Sequence, residues 1–333
     1  MSQASAITSL LDHVTALDAG AHVTGAAFVG DVAALALGDG GVLLASAGET
    51  RRVEAHPGGA VLAAVAQGGR LITGGDDGRV VAIDAAGAVE PIGDEKGRWI
   101  DAVAVRPGAV AWSCGKHVAA RDDKGSVRRI EAPSSVRGLA FAPKGYRLAL
   151  AHYNGASLWF PNTDAAPEAL SWKGSHLDVT FSPDGRFLIT SMQENTLHGW
   201  RLADRKDMRM SGYPAKPRSL SWSHDGFHLA TSGADAAIIW PFEAKDGPMG
   251  KPPRECGVRP AKVSQVAFHP RALILALGYE DGAVMLVRLT DAAELMARKP
   301  DDAGPISAFA WDARGTRLVF GTAEGAAGLL TLP

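Results

Sequence analysis

The chain has 333 residues, 46% of them apolar, with 34 Lys and Arg against 36 Asp and Glu for a formal net charge of −2. That balance leaves no global field to attract nucleic acid, and two cysteines, Cys114 and Cys256, are too few for a disulfide framework, as in a reducing compartment. The start, MSQASAITSLLDHVTAL, lacks the basic stretch and apolar core of a signal peptide, and no apolar run reaches the roughly 18 residues of a membrane helix, so a cytoplasmic protein off the membrane is expected.

In chain order, residues 1–12 are small and polar and read as a flexible N-terminal arm. His13–Asp18 reads as a lone strand ahead of the first complete unit. Eight units of about 40 residues follow, and they fill 13–333 as one domain with no room for a second. The first (25–45) turns at Gly38-Asp39-Gly40-Gly41. The second (61–84) is a clean hairpin, RLITGGDDGRVVAID, alternating with period two around Asp77-Gly78. The third (100–121) and fourth (137–160) carry VAVRPGAVAWS and GLAFAPKGYRLALAHYNGASLWF. The fifth is the clearest: in LDVTFSPDGRFLITSMQENTLHGWRL (177–202), Pro183 presets φ and Gly185 accepts the positive φ that closes the turn. The sixth spans 219–242, the seventh 263–289 and the eighth 306–332, which ends on a third strand with no fourth.

Two connections exceed what the rhythm needs. EAKDGPMGKPPRECGVRPAK (243–262) holds four prolines and reads as a protruding loop rather than a buried strand. DAAELMARKPDDAG (291–304) reads as one helical turn outside the repeating structure.

Three registers share one period. The residue before the first turn is Phe28, Val65, Val105, Phe141, Phe181, Trp222, Phe268 and Trp311. The second turn recurs in phase, from Asp39-Gly40 through Asp77-Gly78 and Asn154-Gly155 to Asp281-Gly282 and Glu324-Gly325, and the third strand ends on Trp159, Trp200 and Trp240. With these features the chain resembles the WD-repeat β-propellers. The signature Trp-Asp pair is nowhere intact; its places hold Trp159-Phe160, Trp200-Arg201 and Trp240-Pro241. The Ala and Gly bias fits both compact β structure and the coding of a GC-rich bacterial genome. The resemblance implies an all-β, single closed β-propeller. Eight units imply eight blades of four antiparallel strands, with seven as the alternative if the first or third unit is something else. It also implies that the N-terminal strand completes the last blade, removing an exposed edge.

No phosphate loop, nucleophile elbow, HExxH or CxxC is present. His224 and His228 lie four apart but straddle a turn, which suits zinc poorly. The pairs Asp76/Asp77, Asp122/Asp123 and Asp301/Asp302 point apart on turns and make poor acid–base partners. In the family, a His before the first strand joins a Ser or Thr, an Asp and the Trp in a hydrogen-bonded network. Carried over, the second unit offers His56, Thr73 and Asp77, the fifth His176, Ser191 and Trp200, and the sixth Ser232, Asp235 and Trp240; His22 holds the same place in the first. No unit keeps all four. His22, His56, Thr73, Asp77, Trp159, His176, Trp200, Asp235 and Trp240 therefore read as structural.

What remains is the rim where each first strand begins, which commonly binds partners in that family. Trp99, Asp101, Arg137, Lys216, Arg218, Arg259 and Lys262 stand there, and Trp and Arg are favoured at binding hot spots. Against this, Trp99 would simply pack between blades and the cations would be ordinary surface. The expected function is a non-catalytic scaffold presenting rim loops to a partner protein with an acidic face, with no cofactor and no nucleic acid. The alternative is a small-ligand- or metal-binding propeller, possibly enzymatic, using a central channel whose mouth offers only Asp101 and His22.

Overall fold

The computed structural model describes residues 9–46 and 48–333. Apart from a short 3-10 turn at Leu11–His13, its regular elements are all strands. The strands form seven sheets: 23–54, 61–94, 102–131, 138–210, 220–256, 263–298, and 306–331 joined by Val14–Asp18. Six of these have four strands and the fourth has six.

The expectation of eight separate blades is corrected here: among the described residues the hydrogen-bonded sheets number seven. Sequence units four and five share one sheet because a single strand, Glu168–Phe181, serves both. Its first half pairs with Ala156–Leu158 and its second half with Leu188–Ser191. The strand bends at Gly174 (φ 109°), so that His176 Nε2 donates to Trp172 O at 3.2 Å, whereas four residues of straight strand span about 13 Å. Its neighbour, Leu148–Trp159, reverses at Asn154 (φ 64°) and Gly155. That reversal brings His152 Nε2 to 2.9 Å from Ser157 Oγ.

Burial runs in a gradient across each sheet. First strands, such as Val23–Val29, are half-buried around a central channel; second strands, such as Phe187–Met192, are buried on both faces; fourth strands, such as Glu49–Glu54, face water. Neighbouring sheets approach so closely that side-chain volume is limiting. A Cβ on Gly74, Gly278 or Gly321 would sit 2.4–2.5 Å from Ile100, Ile306 or Val23, each opening the next unit. Part of the glycine bias is therefore a packing requirement.

Hydroxyls tie the inner strands into a ring. Ser264 Oγ donates to Ile306 O (2.7 Å), and Ser307 Oγ donates to Val23 O (2.6 Å), joining the last sheet to the first. Trp222 Nε1 donates to Thr180 Oγ1 (3.1 Å) across the fourth and fifth sheets. Val14–Asp18 pairs antiparallel with Ala326–Thr331 and supplies the seventh sheet's fourth strand. Of the arm expected over 1–12, residues 1–8 lie outside the described residues. Leu10 is buried, and its N–H donates to Met296 O (2.8 Å).

Both long connections hold outer strands instead of the expected structures. Arg254–Cys256 within 243–262 completes the fifth sheet, and Ala293–Arg298 within 291–304 completes the sixth. The prolines are compatible with the first of these because an outer edge leaves half its N–H groups unpaired.

Candidate functional site: the channel mouth and the buried networks behind it

Incoming segments dock on the second turn of the preceding unit at three junctions. Ile100 N donates to Gly75 O, Val136 N to Gly115 O, and Val263 N to Ala234 O (2.8–3.0 Å). These bonds, with Ala215 N donating to Gly233 O of its own unit (3.1 Å), put residues 99–101, 136–137, 214–218 and 259–263 on one end of the ring, at the mouth of the channel.

The seven rim residues fall into three groups there. Asp101 accepts from Gly115 N (2.7 Å) and from exposed Arg137 (3.0 Å), so those two satisfy one another. Arg259 pairs with Asp281 (3.0 Å) and lies 5.0 Å over the Tyr279 ring. Trp99 is 63% exposed, its ring turned out while Ile100 behind it is fully buried. It does not pack between sheets. Lys216, Arg218 and Lys262 instead line one cavity of about 710 Å³, together with His22, Ser264 and Glu280. Among the described residues none of these three cations is in an ion pair. Glu280 is the one acidic side chain lining that cavity, and its N–H donates to Lys262 O (2.9 Å). The mouth thus carries surplus positive charge on the side of the fifth and sixth sheets.

Behind the mouth, polar side chains are consumed in buried networks. His56 Nδ1 donates to Asp77 (3.0 Å), and His56 Nε2 accepts from Thr73 Oγ1 (2.8 Å). Asp77 also accepts from the backbone N–H and guanidinium of Arg79. Burial raises the Asp77 carboxyl, but these donors outweigh it and hold its pKa below the usual carboxylate value. The order Thr–His–Asp is that of a nucleophilic triad. Thr73 and His56 are both fully buried, however, so no substrate reaches the hydroxyl.

The other two carried-over networks use different residues. In the fifth unit His176 bonds Thr190 Oγ1 (2.7 Å), not Ser191, and stacks on buried Trp200 at 5.8 Å. In the sixth unit Tyr213 occupies the place expected of histidine. Its hydroxyl is 2.6 Å from Thr231 Oγ1 and accepts from Trp240 Nε1, also at 2.6 Å. Ser232 instead accepts from the N–H groups of Arg218 and Ser219 and fixes the mouth segment. Asp235 is exposed and lends its backbone carbonyl to Arg259 N (2.9 Å). His22 is exposed on the cavity wall, and Trp159 is buried between the third and fourth units.

Sequence reading missed Thr190, Thr231 and Tyr213, and also Glu95, a buried carboxylate that accepts from Trp112 Nε1 (2.8 Å), Arg129 (2.7 Å) and Arg98 (3.1 Å). The threonines had a signal. LIT, LIT and LAT recur at Leu71–Thr73, Leu188–Thr190 and Leu229–Thr231, in phase with the repeat.

His198 lies in the same core, flat against Trp172 (4.0 Å, 14°), with neither ring nitrogen hydrogen-bonded. Burial, reinforced by His176 and Arg209, pushes its pKa down to about 3, so it is neutral. Among the described residues no three His, Cys, Asp or Glu side chains gather to hold a metal ion, and no helix is long and apolar enough to cross a membrane.

The sheets and channel define an all-β propeller. No protein-family model matches the chain. A stretch of 82 residues, 24% of the chain, is 33% identical to WD repeat-containing protein 1-B of Xenopus laevis, and the match spans 14% of that protein. Over 95% of this chain and 98% of the other, the fold matches the crystal structure of the computationally designed Ika8 protein with a TM-score of 0.78 at 16% identity, a likeness of fold alone. The chain is thus a propeller with a short region of WD-repeat similarity.

Proposed function

We propose that the protein is a non-catalytic scaffold whose channel mouth holds an acidic segment of a partner protein. The observation that carries this reading is the cavity of about 710 Å³ bordered by Lys216, Arg218 and Lys262, three cations with no ionic partner among the described residues. An unpaired cation at a partly screened mouth attracts carboxylates and raises association rates. The ring keeps these groups in fixed relative positions, which lowers the ordering cost of binding. Ser232 contributes directly by holding the backbone of Arg218 and Ser219. The buried, free cysteines Cys114 and Cys256 fit a cytoplasmic setting.

Co-purification from the native lysate, comparing wild type with Lys216→Glu/Lys262→Glu, tests this reading. A stoichiometric partner lost on charge reversal is expected. A partner held equally by both forms overturns the assignment of the mouth.

A further inference from the structure

The opposite end of the ring contains a second cavity, of about 420 Å³, between the second and third sheets, and the repeat explains why it is there. At the junctions entering the fourth to eighth sequence units, an aromatic residue at the end of the first strand fills the gap to the preceding unit. Phe141, Phe181, Trp222, Phe268 and Trp311 each pack against or within a core cluster shared by adjacent units. The residue in this place is a valine in the second and third units, Val65 and Val105.

The turn that follows is also shorter. Phe181 pairs with Leu188 and Trp222 with Leu229 across six-residue connections, whereas Arg106 pairs with Ala109 around Pro107-Gly108. The adjacent second unit likewise turns at Gly68-Gly69, with Gln67 paired to Arg70. A ring is missing, and the two flanking turns are trimmed at the place where longer turns would roof the gap.

The cavity that results has an apolar floor of Ile72, Ile92, Val105 and Val110 and a charged border. Most of that border is already occupied. Arg70 pairs with Glu90 (2.7 Å), Arg106 donates to Gly145 O, and Asp122 accepts from the N–H groups of Lys124 and Ser126. Arg121 and Asp123 have no side-chain partner among the described residues, and Asp123 stands over the Pro107-Gly108 turn, 3.7 Å from where a Cβ on Gly108 would lie. One cation and one anion are therefore left at the edge of an apolar slot whose volume falls within the roughly 300–1,000 Å³ of small-molecule sites.

We propose that this cleft binds a free aromatic amino acid, its ring on Ile72, Val105 and Val110, its carboxylate on Arg121 and its ammonium on Asp123. The ring replaces the side chain that the repeat supplies in six of its eight units. The zwitterion satisfies the two unpaired charges, and neither a simple hydrocarbon nor a simple anion does both. The site is separate from the channel mouth.

Isothermal titration of the full chain with L-phenylalanine and L-tryptophan tests this, with indole and L-alanine as probes lacking the zwitterion and the ring. Saturable one-to-one binding of an aromatic amino acid is expected, weakened at least about tenfold by Arg121→Gln and by Asp123→Asn and abolished by Val105→Trp, which puts a ring of the protein's own in the slot. Val105→Trp is also expected to raise the melting temperature. If that variant does not fold, the Arg121 and Asp123 variants give the same readout. No saturable binding of either aromatic amino acid overturns the proposal. So does equal binding of indole or L-alanine, or binding indifferent to the Arg121 and Asp123 substitutions. Acidic-peptide binding at the mouth is unchanged in all three variants, so the two sites fail independently.

Discussion

Removing one oxygen atom tests the claim that Tyr213 stands in for a histidine in the sixth unit. Tyr213→Phe keeps the ring and its packing, so no cavity forms. Thr231 keeps a partner, because its hydroxyl already donates to Ile238 O (3.3 Å). Trp240 does not: its indole N–H is buried and donates to the Tyr213 hydroxyl at 2.6 Å. Leaving that donor unsatisfied costs about 1–3 kcal/mol. Burial has already raised the Tyr213 pKa to about 12, so the lost group is a neutral hydroxyl and the effect is flat through neutral pH. Equilibrium urea denaturation gives the magnitude, and a cycle with Trp240→Phe isolates the pair. The double variant is expected to lose less than the sum of the singles, by about 1 kcal/mol or more. A Tyr213→Phe variant within about 0.3 kcal/mol of wild type, or strictly additive singles, would refute the role assigned to the hydroxyl.

Three further outcomes follow from the same geometry. Gly321→Ala places a Cβ 2.5 Å from Val23 Cγ2 at the junction of last and first sheets and is expected to destabilise by about 1–3 kcal/mol in the same assay. Asp77 has a folded pKa below its unfolded value, so its contribution to stability is present above the unfolded carboxylate pKa of about 4 and is lost as pH falls through the folded value. In acid denaturation Asp77→Asn is less stable than wild type at pH 7 and shows a shallower loss below pH 4. Deleting residues 1–18 removes the strand paired with Ala326–Thr331 and the buried Leu10. The exposed edge is expected to drive self-association, seen as dimers or larger species by light scattering.

The repeat was legible because its turns are chemically obligatory: a turn that needs a positive φ selects Gly or Asn, and it did so in phase along the chain. The merging of units four and five was not legible. It depends on hydrogen bonding continuing through a bend at Gly174 and a reversal at Asn154-Gly155, and composition reports the turn without saying whether pairing stops there. In the second unit His56, Thr73 and Asp77 were readable together because the spacing there is regular. In the fifth and sixth units the hydroxyl was read one residue late, and on a strand one residue changes the face. Tyr213 stands nine residues before Trp222, as His56 stands nine before Val65, and it was hidden because a tyrosine fills the place where a histidine was sought. At the mouth, size or charge and position singled out the seven rim residues, but only side-chain pairing separates Lys216, Arg218 and Lys262 from Asp101, Arg137 and Arg259.

The most direct test of the scaffold reading is fluorescence anisotropy of a labelled oligoglutamate peptide titrated with wild type and with Lys216→Glu/Arg218→Glu/Lys262→Glu, at low and physiological salt. Binding by wild type that weakens with salt and disappears in the triple variant, with circular dichroism unchanged, is the predicted result. Equal binding by the two proteins, or none by wild type at low salt, would contradict the assignment of the channel mouth as the acidic-partner site.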